Sequence, residues 1–128
     1  MRTAVLVSGS REWTNHAVVH ERLRRYPAGT ILIHGDARGL DRMAAMVGRK
    51  LGFNIHSVPY FGDLGLDGGH ERNRCMFGGL LNFRRFGFQI FVEAFPLKPT
   101  GGTRRMIALV ETYNTRAPLP VPLWVYAA

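Results

Sequence analysis

Three short polar segments, each following a β-type apolar run, carry the residue types that hold phosphate: Ser8-Gly9-Ser10-Arg11, His34-Gly35-Asp36-Ala37-Arg38-Gly39-Leu40-Asp41 and Thr100-Gly101-Gly102-Thr103. In the first, Gly9 allows a tight backbone turn, the hydroxyls of Ser8 and Ser10 can donate to anionic oxygens, and Arg11 adds a permanent charge. In the second, Gly35 and Gly39 permit close backbone approach and Arg38 can reach an anion at a positive helix end. Asp36 and Asp41 either cap that helix or accept from ribose hydroxyls, and His34 stands at the strand end. In the third, Gly101 and Gly102 expose amides ahead of Thr103 at the start of another helix, a ready phosphate cradle. Arg72-Asn73 is expected in the first turn of a further helix, where a cation is electrostatically awkward unless an anionic ligand or an acid such as Glu71 lies near.

These segments need a scaffold that gathers them. Thr3 to Val7, Thr30 to His34, Phe53 to Val58, Phe88 to Ala94 and Val121 to Tyr126 read as buried strands. Between them run helical apolar stripes: Val19, Leu23 and Tyr26; Leu40, Met43, Ala44, Val47 and Leu51; Met76, Phe77, Leu80 and Leu81; Met106, Ile107, Val110 and Tyr113. Alternating strands and helices imply right-handed crossovers and a mostly parallel sheet covered on both faces. The expected fold is therefore α/β, a three-layer α/β/α Rossmann-like sandwich with a five-stranded sheet in the order 3-2-1-4-5. That order makes the segment after strand one and the turn after Ala94 neighbours across the topological switch point. The glycine-containing stretch Pro59 to His70 reads as a loop over the site, and the prolines between Ala117 and Pro122 as the approach to an edge strand.

The length of 128 residues fits one domain spanning 1–128. No apolar run is long enough to cross a membrane, and Cys75, the only cysteine, excludes an intrachain disulfide. The expected home is the reducing cytoplasm. A formal net charge of +8 favours polyanionic partners, nucleotides or nucleic acid. Neither a Gly-x-Gly-x-x-Gly dinucleotide motif nor a Walker loop is present, so no cofactor is expected. His16 and His20 share a helix without a third ligand, so no metal site is read either. Trp13 and Phe61 are candidates for stacking on a base, with Trp13 equally suited to anchoring the edge of the core, and Cys75 reads as a small buried hydrophobe.

Taken together, Ser8-Gly9-Ser10-Arg11-Glu12-Trp13, the segment His34 to Asp41, Arg72-Asn73-x-x-Met76, Ala94-Phe95-Pro96 and Gly102-Thr103 resemble the YspA-like branch of the SLOG superfamily. That superfamily includes the Lonely-guy phosphoribohydrolases and the Smf/DprA DNA-processing proteins. The resemblance covers nearly the whole chain and implies a Rossmann-like domain that binds a nucleotide or nucleotide-derived ligand. One departure matters. The phosphoribohydrolases carry Pro-Gly-Gly-x-Gly-Thr-x-x-Glu, whose glutamate assists N-glycosidic cleavage, and here Met106 stands at the glutamate's place. A thioether is neither a general acid nor a base.

Three functions follow as expectations. The first is binding or sensing of a nucleotide-like small molecule. The second is N-glycosidic hydrolysis, with Asp36 or Glu93 assisting departure of the base. The third is nucleic-acid binding through Arg22, Arg24, Arg25, Arg84, Arg85, Arg104 and Arg105. Related folds often dimerise through helix faces, so a homo-oligomer is a further expectation.

Overall fold

The apolar run after Arg2 forms strand β1 (Thr3–Gly9), whose first five residues are buried. Covered on both faces, the strand sends alternate side chains to opposite layers: Ala4 and Leu6 enter one core cluster, Val5 and Val7 the other. This computed structural model describes residues 2–58 and 66–127. The remaining elements are α1 (His16–Leu23), β2 (Ile31–His34), α2 (Leu40–Lys50), β3 (Asn54–Ser57), α3 (Leu66–Arg85), β4 (Gln89–Phe95), α4 (Gly102–Arg116) and β5 (Leu123–Val125).

The sheet order is β3-β2-β1-β4-β5 and each pairing is parallel, which is the expected topology. Helices α1 and α2 pack Val19, Leu23, Leu40, Ala44 and Val47 on one face, against Val5, Val7 and Leu32. On the other, α3 and α4 pack Met76, Phe77, Leu80, Met106 and Val110 against Ala4, Leu6, Ile33 and Val92. The result is the three-layer Rossmann-like arrangement. Because all strands are parallel, their carboxyl ends lie along one edge, where Ser10 donates its backbone N–H to the Phe95 carbonyl at 3.1 Å.

Two expectations about elements change. Helix α3 begins at Leu66, so Gly68, Gly69 and His70 are helical rather than part of a loop. Glycine costs about 1 kcal/mol per position in a helix, but burial of Asn73, Met76, Phe77 and Leu80 on one side of α3 outweighs it. Pro59 to Gly65, the rest of the expected loop, lies outside the described residues, as does Phe61 within it. At the far edge β5 is shorter than the apolar run containing it. It follows Pro118, Pro120 and Pro122, and Val92 N–H bonds to the Pro122 carbonyl just before the strand begins.

Candidate functional site

The strand ends enclose a cleft of about 510 Å³, lined among others by Ser8, Gly9, Ser10, Arg11, Asp41, Arg72, Asn73, Lys98 and the run from Thr100 to Thr103 with Arg105. A second, adjoining depression of about 410 Å³ is lined by Arg11, Gly35, Asp36, Ala37, Arg38, Arg42 and Arg72. Arg11, Ala37 and Arg72 belong to both, so the two form compartments of one basic crevice.

Two glycines set the backbone of this crevice. A Cβ on Gly9 would stand 2.2 Å from Leu40 Cγ, and one on Gly39 would stand 2.3 Å from the Arg11 carbonyl oxygen, with Gly39 already at φ +75°. The β1 turn and the start of α2 therefore touch through atoms that any side chain would displace. A hydrogen bond from Leu40 N–H to the Ser10 carbonyl, 3.1 Å, locks the same junction.

Between His34 and Asp41 the chain departs from simple helix capping. Gly39 is the N-cap of α2 and no side chain caps that helix. Asp36 instead adopts φ +56°, a left-handed conformation that aspartate tolerates better than most residues, and pairs at 3.8 Å with Arg42. Its amide donates to His34 Nδ1 at 2.9 Å, so buried His34 shapes the turn and lines neither compartment. Burial holds the His34 imidazole below its ordinary pKa.

Asp41 has a different role. Its Oδ2 accepts from the amides of Gly35 (3.1 Å) and Ala37 (3.3 Å). Its Oδ1 is buried and has no hydrogen-bond partner among the described residues, although the side chain lines the larger compartment. Desolvation pushes the carboxyl up to about 6, while the two amides and nearby Arg72 pull the other way. Arg72 and Asn73 lie in the second turn of α3, not the first, because the helix starts earlier than its apolar stripe indicates. There the dipole penalty anticipated for Arg72 has largely faded. Arg72 donates to the Gly35 carbonyl at 3.3 Å, and Asn73 Nδ2 to the Gly102 carbonyl at 3.2 Å, tying α3 to both neighbouring loops.

Helix α4 opens into the larger compartment. Its N-cap is Gly101 at φ +105°, no side chain caps it, and no acid occupies its first turn. Its leading N–H groups and positive dipole end face a space that Arg11, Arg72, Lys98 and Arg105 also line. Lys98 reaches Glu12 at 3.4 Å, and Glu12 also accepts from Ser10 Oγ at 2.9 Å. Those contacts lower the Glu12 carboxyl below its ordinary value, the Ser10 hydrogen bond contributing most. Glu12 and Lys98 are lining residues that motif reading passed over. The adjacent Ala94-Phe95-Pro96 turn was the signal that this segment would border the ligand space.

Other candidates fall elsewhere. Glu93 lines neither compartment. It is buried on β4, where it accepts from Arg22 Nε (2.9 Å) and Nη2 (3.0 Å) and from the Tyr26 hydroxyl (2.5 Å). Arg22 also stacks 4.0 Å above Trp124. Burial and the Glu93 charge hold the Tyr26 phenol protonated far above its usual range. Trp13 is buried edge-on against Phe95 and Tyr126, a core anchor rather than a base platform. Met106 is fully buried in the α3–α4 core. Cys75, expected inside, is exposed, because α3 turns it away from the buried stripe of Asn73, Met76 and Phe77. Among the described residues no cluster of three metal-ligating side chains forms, and no helix is long and apolar enough to cross a membrane.

The seven arginines read as a nucleic-acid surface divide between layers: 22, 24 and 25 are at α1, and 84, 85, 104 and 105 on α3 and α4. Several are committed, Arg24 to Glu21 and Arg84 to the Leu119 carbonyl and Tyr113 hydroxyl.

Comparison with known proteins agrees with this architecture. The family model of the YspA, cpYpsA-related SLOG family matches residues 3–59, which include the first two glycine segments. Gene 61 protein of Mycobacterium phage D29 is 34% identical over 110 residues, covering 78% of this chain and 82% of that protein. The chain belongs to the YspA, cpYpsA-related SLOG family. No solved structure matches it significantly. Within this SLOG domain the family match ends before Arg72, Asn73 and the α4 segment, so the crevice's second half rests on its geometry.

Proposed function

We propose that this SLOG-family protein binds a nucleotide or nucleotide-derived molecule in the crevice, as a ligand-binding or sensing module. The observation that carries this reading is the uncapped N-terminus of α4 opening into a cleft lined by Arg11, Arg72, Lys98 and Arg105. Backbone N–H groups at a helix start, joined by several guanidinium groups, form a phosphate site with bidentate donors. Ser8, Ser10 and Thr103 add hydroxyls along the same wall. Asp36 and Arg38 in the adjoining compartment extend the contact surface beyond a single phosphate.

Binding is favoured over hydrolysis for specific reasons. Met106 occupies the position of the phosphoribohydrolase glutamate and is sealed in the core. Glu93 spends both oxygens on Arg22 and Tyr26.

The test is a thermal-shift panel of nucleoside mono- and diphosphates, followed by chromatography of each hit. Saturation at roughly one hundred times Kd adds about 2.7 kcal/mol to stability. The expected result is a raised melting temperature with the nucleotide recovered intact, reduced in Arg105→Ala. Release of free base would replace the sensing reading with the hydrolase one, and absence of any shift at millimolar nucleotide would reject both.

A further inference from the structure

Asp41 places a buried, unpartnered acceptor at the wall of a cleft otherwise furnished for anions. One carboxylate oxygen is used by the Gly35 and Ala37 amides. The other, Oδ1, is buried without a hydrogen-bond partner among the described residues, on a side chain only 5% exposed that lines the compartment. A buried polar atom left in that state is destabilising, so the position is poised for a donor. A phosphate cannot supply one, since two anionic oxygens in contact repel.

A nucleotide offers two kinds of neutral donor, sugar hydroxyls and the N–H groups of bases, exocyclic or in the ring. The surroundings of Asp41 discriminate between them. Among the described residues, those beside it are Gly35, Ala37 and Arg72, small or polar, with no aromatic face on which a base would stack. The apolar lining residues Pro96 and Leu97 belong to the segment after β4, whereas Asp41 rises from α2. A sugar, the covalent neighbour of the phosphate, is the part of the ligand that fits.

We infer that Asp41 Oδ1 accepts a hydrogen bond from one ribose hydroxyl of the ligand, so that the crevice selects ribose phosphates over their deoxy counterparts. This rests on the nucleotide reading above and narrows it. Only one oxygen lacks a partner, so one hydroxyl is read, and the phosphate contacts at α4 are common to both sugar types. Asp41 thus determines specificity, while Arg105 and the α4 amides supply affinity without regard to the sugar. Sites built to bond a hydroxyl discriminate strongly against analogues that lack it, because their own polar atom is then stranded.

The experiment is titration calorimetry of the wild-type protein with ribose 5-phosphate and 2-deoxyribose 5-phosphate, and with a ribonucleoside 5′-monophosphate and its 2′-deoxy and 3′-deoxy forms. Roughly tenfold or greater weakening is expected for one of the deoxy forms. In Asp41→Asn, one oxygen remains for the Gly35 and Ala37 amides and an N–H turns toward the ligand, and the ratio should fall to about threefold or less because the charge-assisted bond is lost. Arg105→Ala should weaken every probe equally and leave the ratio unchanged. Equal wild-type affinity for ribose and both deoxy forms overturns the hydroxyl assignment while leaving nucleotide binding intact. A ratio unchanged in Asp41→Asn overturns the role of Asp41. Binding of no phosphorylated probe overturns the nucleotide reading itself, and the inference with it.

Discussion

Asp41 and Arg72 grip the same residue from two helices: Asp41 accepts from the Gly35 amide at 3.1 Å, and Arg72 donates to the Gly35 carbonyl at 3.3 Å. Through Gly35 the end of β2 is clamped between α2 and α3, and an acid and a base of the crevice are held in fixed relation. A side chain on Gly35 would crowd both partners of this clamp.

A methyl group there should therefore be felt. A Cβ on Gly35 would stand 3.1 Å from Arg72 Cζ and Nε and from Asp41 Oδ2, so the guanidinium must give way. Gly35→Ala is expected to lower stability by about 1–2 kcal/mol in urea denaturation and to weaken phosphate binding. Gly102→Ala supplies the contrast, because a Cβ there meets nothing within 4 Å. Its stability should stay within about 0.5 kcal/mol of wild type. Equal losses in the two variants would show that the clamp is not what makes Gly35 necessary.

The pH dependence of stability should carry the signature of Asp41. Its carboxyl is raised from 3.8 to about 6 in the folded protein, chiefly by desolvation. Between those values the folded state binds a proton that the unfolded state has released, so the stability contributed by Asp41 is greatest below about pH 4 and falls as pH rises toward 6. The full fall would be about 3 kcal/mol, at 1.36 kcal/mol for each pH step. His34 contributes the opposite slope, because its lowered pKa costs stability as pH drops below 6.5. Subtracting the Asp41→Asn curve from the wild-type curve cancels His34, and the difference should decline from pH 4 to 6. A flat difference would show that Asp41 is not raised.

Glu93 should matter for folding and not for the ligand. Removing the carboxylate in Glu93→Ala leaves Arg22 and the Tyr26 hydroxyl without their shared acceptor. Breaking a buried pair from one side costs about 3–5 kcal/mol, lessened here because the Arg22 side chain is 18% exposed. Thermal unfolding should report that loss, and calorimetry on the folded variant should give unchanged nucleotide affinity. A large affinity change with little loss of stability would return Glu93 to the crevice.

The fold was legible because its determinants are local and repetitive. Short β-branched runs alternating with helical stripes leave few ways to cover a parallel sheet, and the order 3-2-1-4-5 follows from right-handed crossovers. The gathering of Ser8 to Arg11, His34 to Asp41 and Thr100 to Thr103 was legible for the same reason, since parallel strands bring all their carboxyl ends to one edge. Residue types and spacing alone thus determine the layers, the strand order and the edge where the polar segments meet.

The task of each side chain on that edge was decided only by contacts between residues distant in sequence. Asp36 and Asp41 are equivalent on paper; the left-handed turn at Asp36 sends it to Arg42, while Asp41 turns inward beneath Gly35. Glu93 sits near a strand end like the candidate site residues, yet Arg22, seventy-one positions away, draws it into a buried pair. Arg72 moved a turn deeper into its helix because packing of α3 on the sheet outweighed the glycines that signalled a loop. Periodicity records which residues are apolar and where the backbone turns. Which polar atom is buried, satisfied or left open depends on neighbours that only the closed tertiary structure supplies.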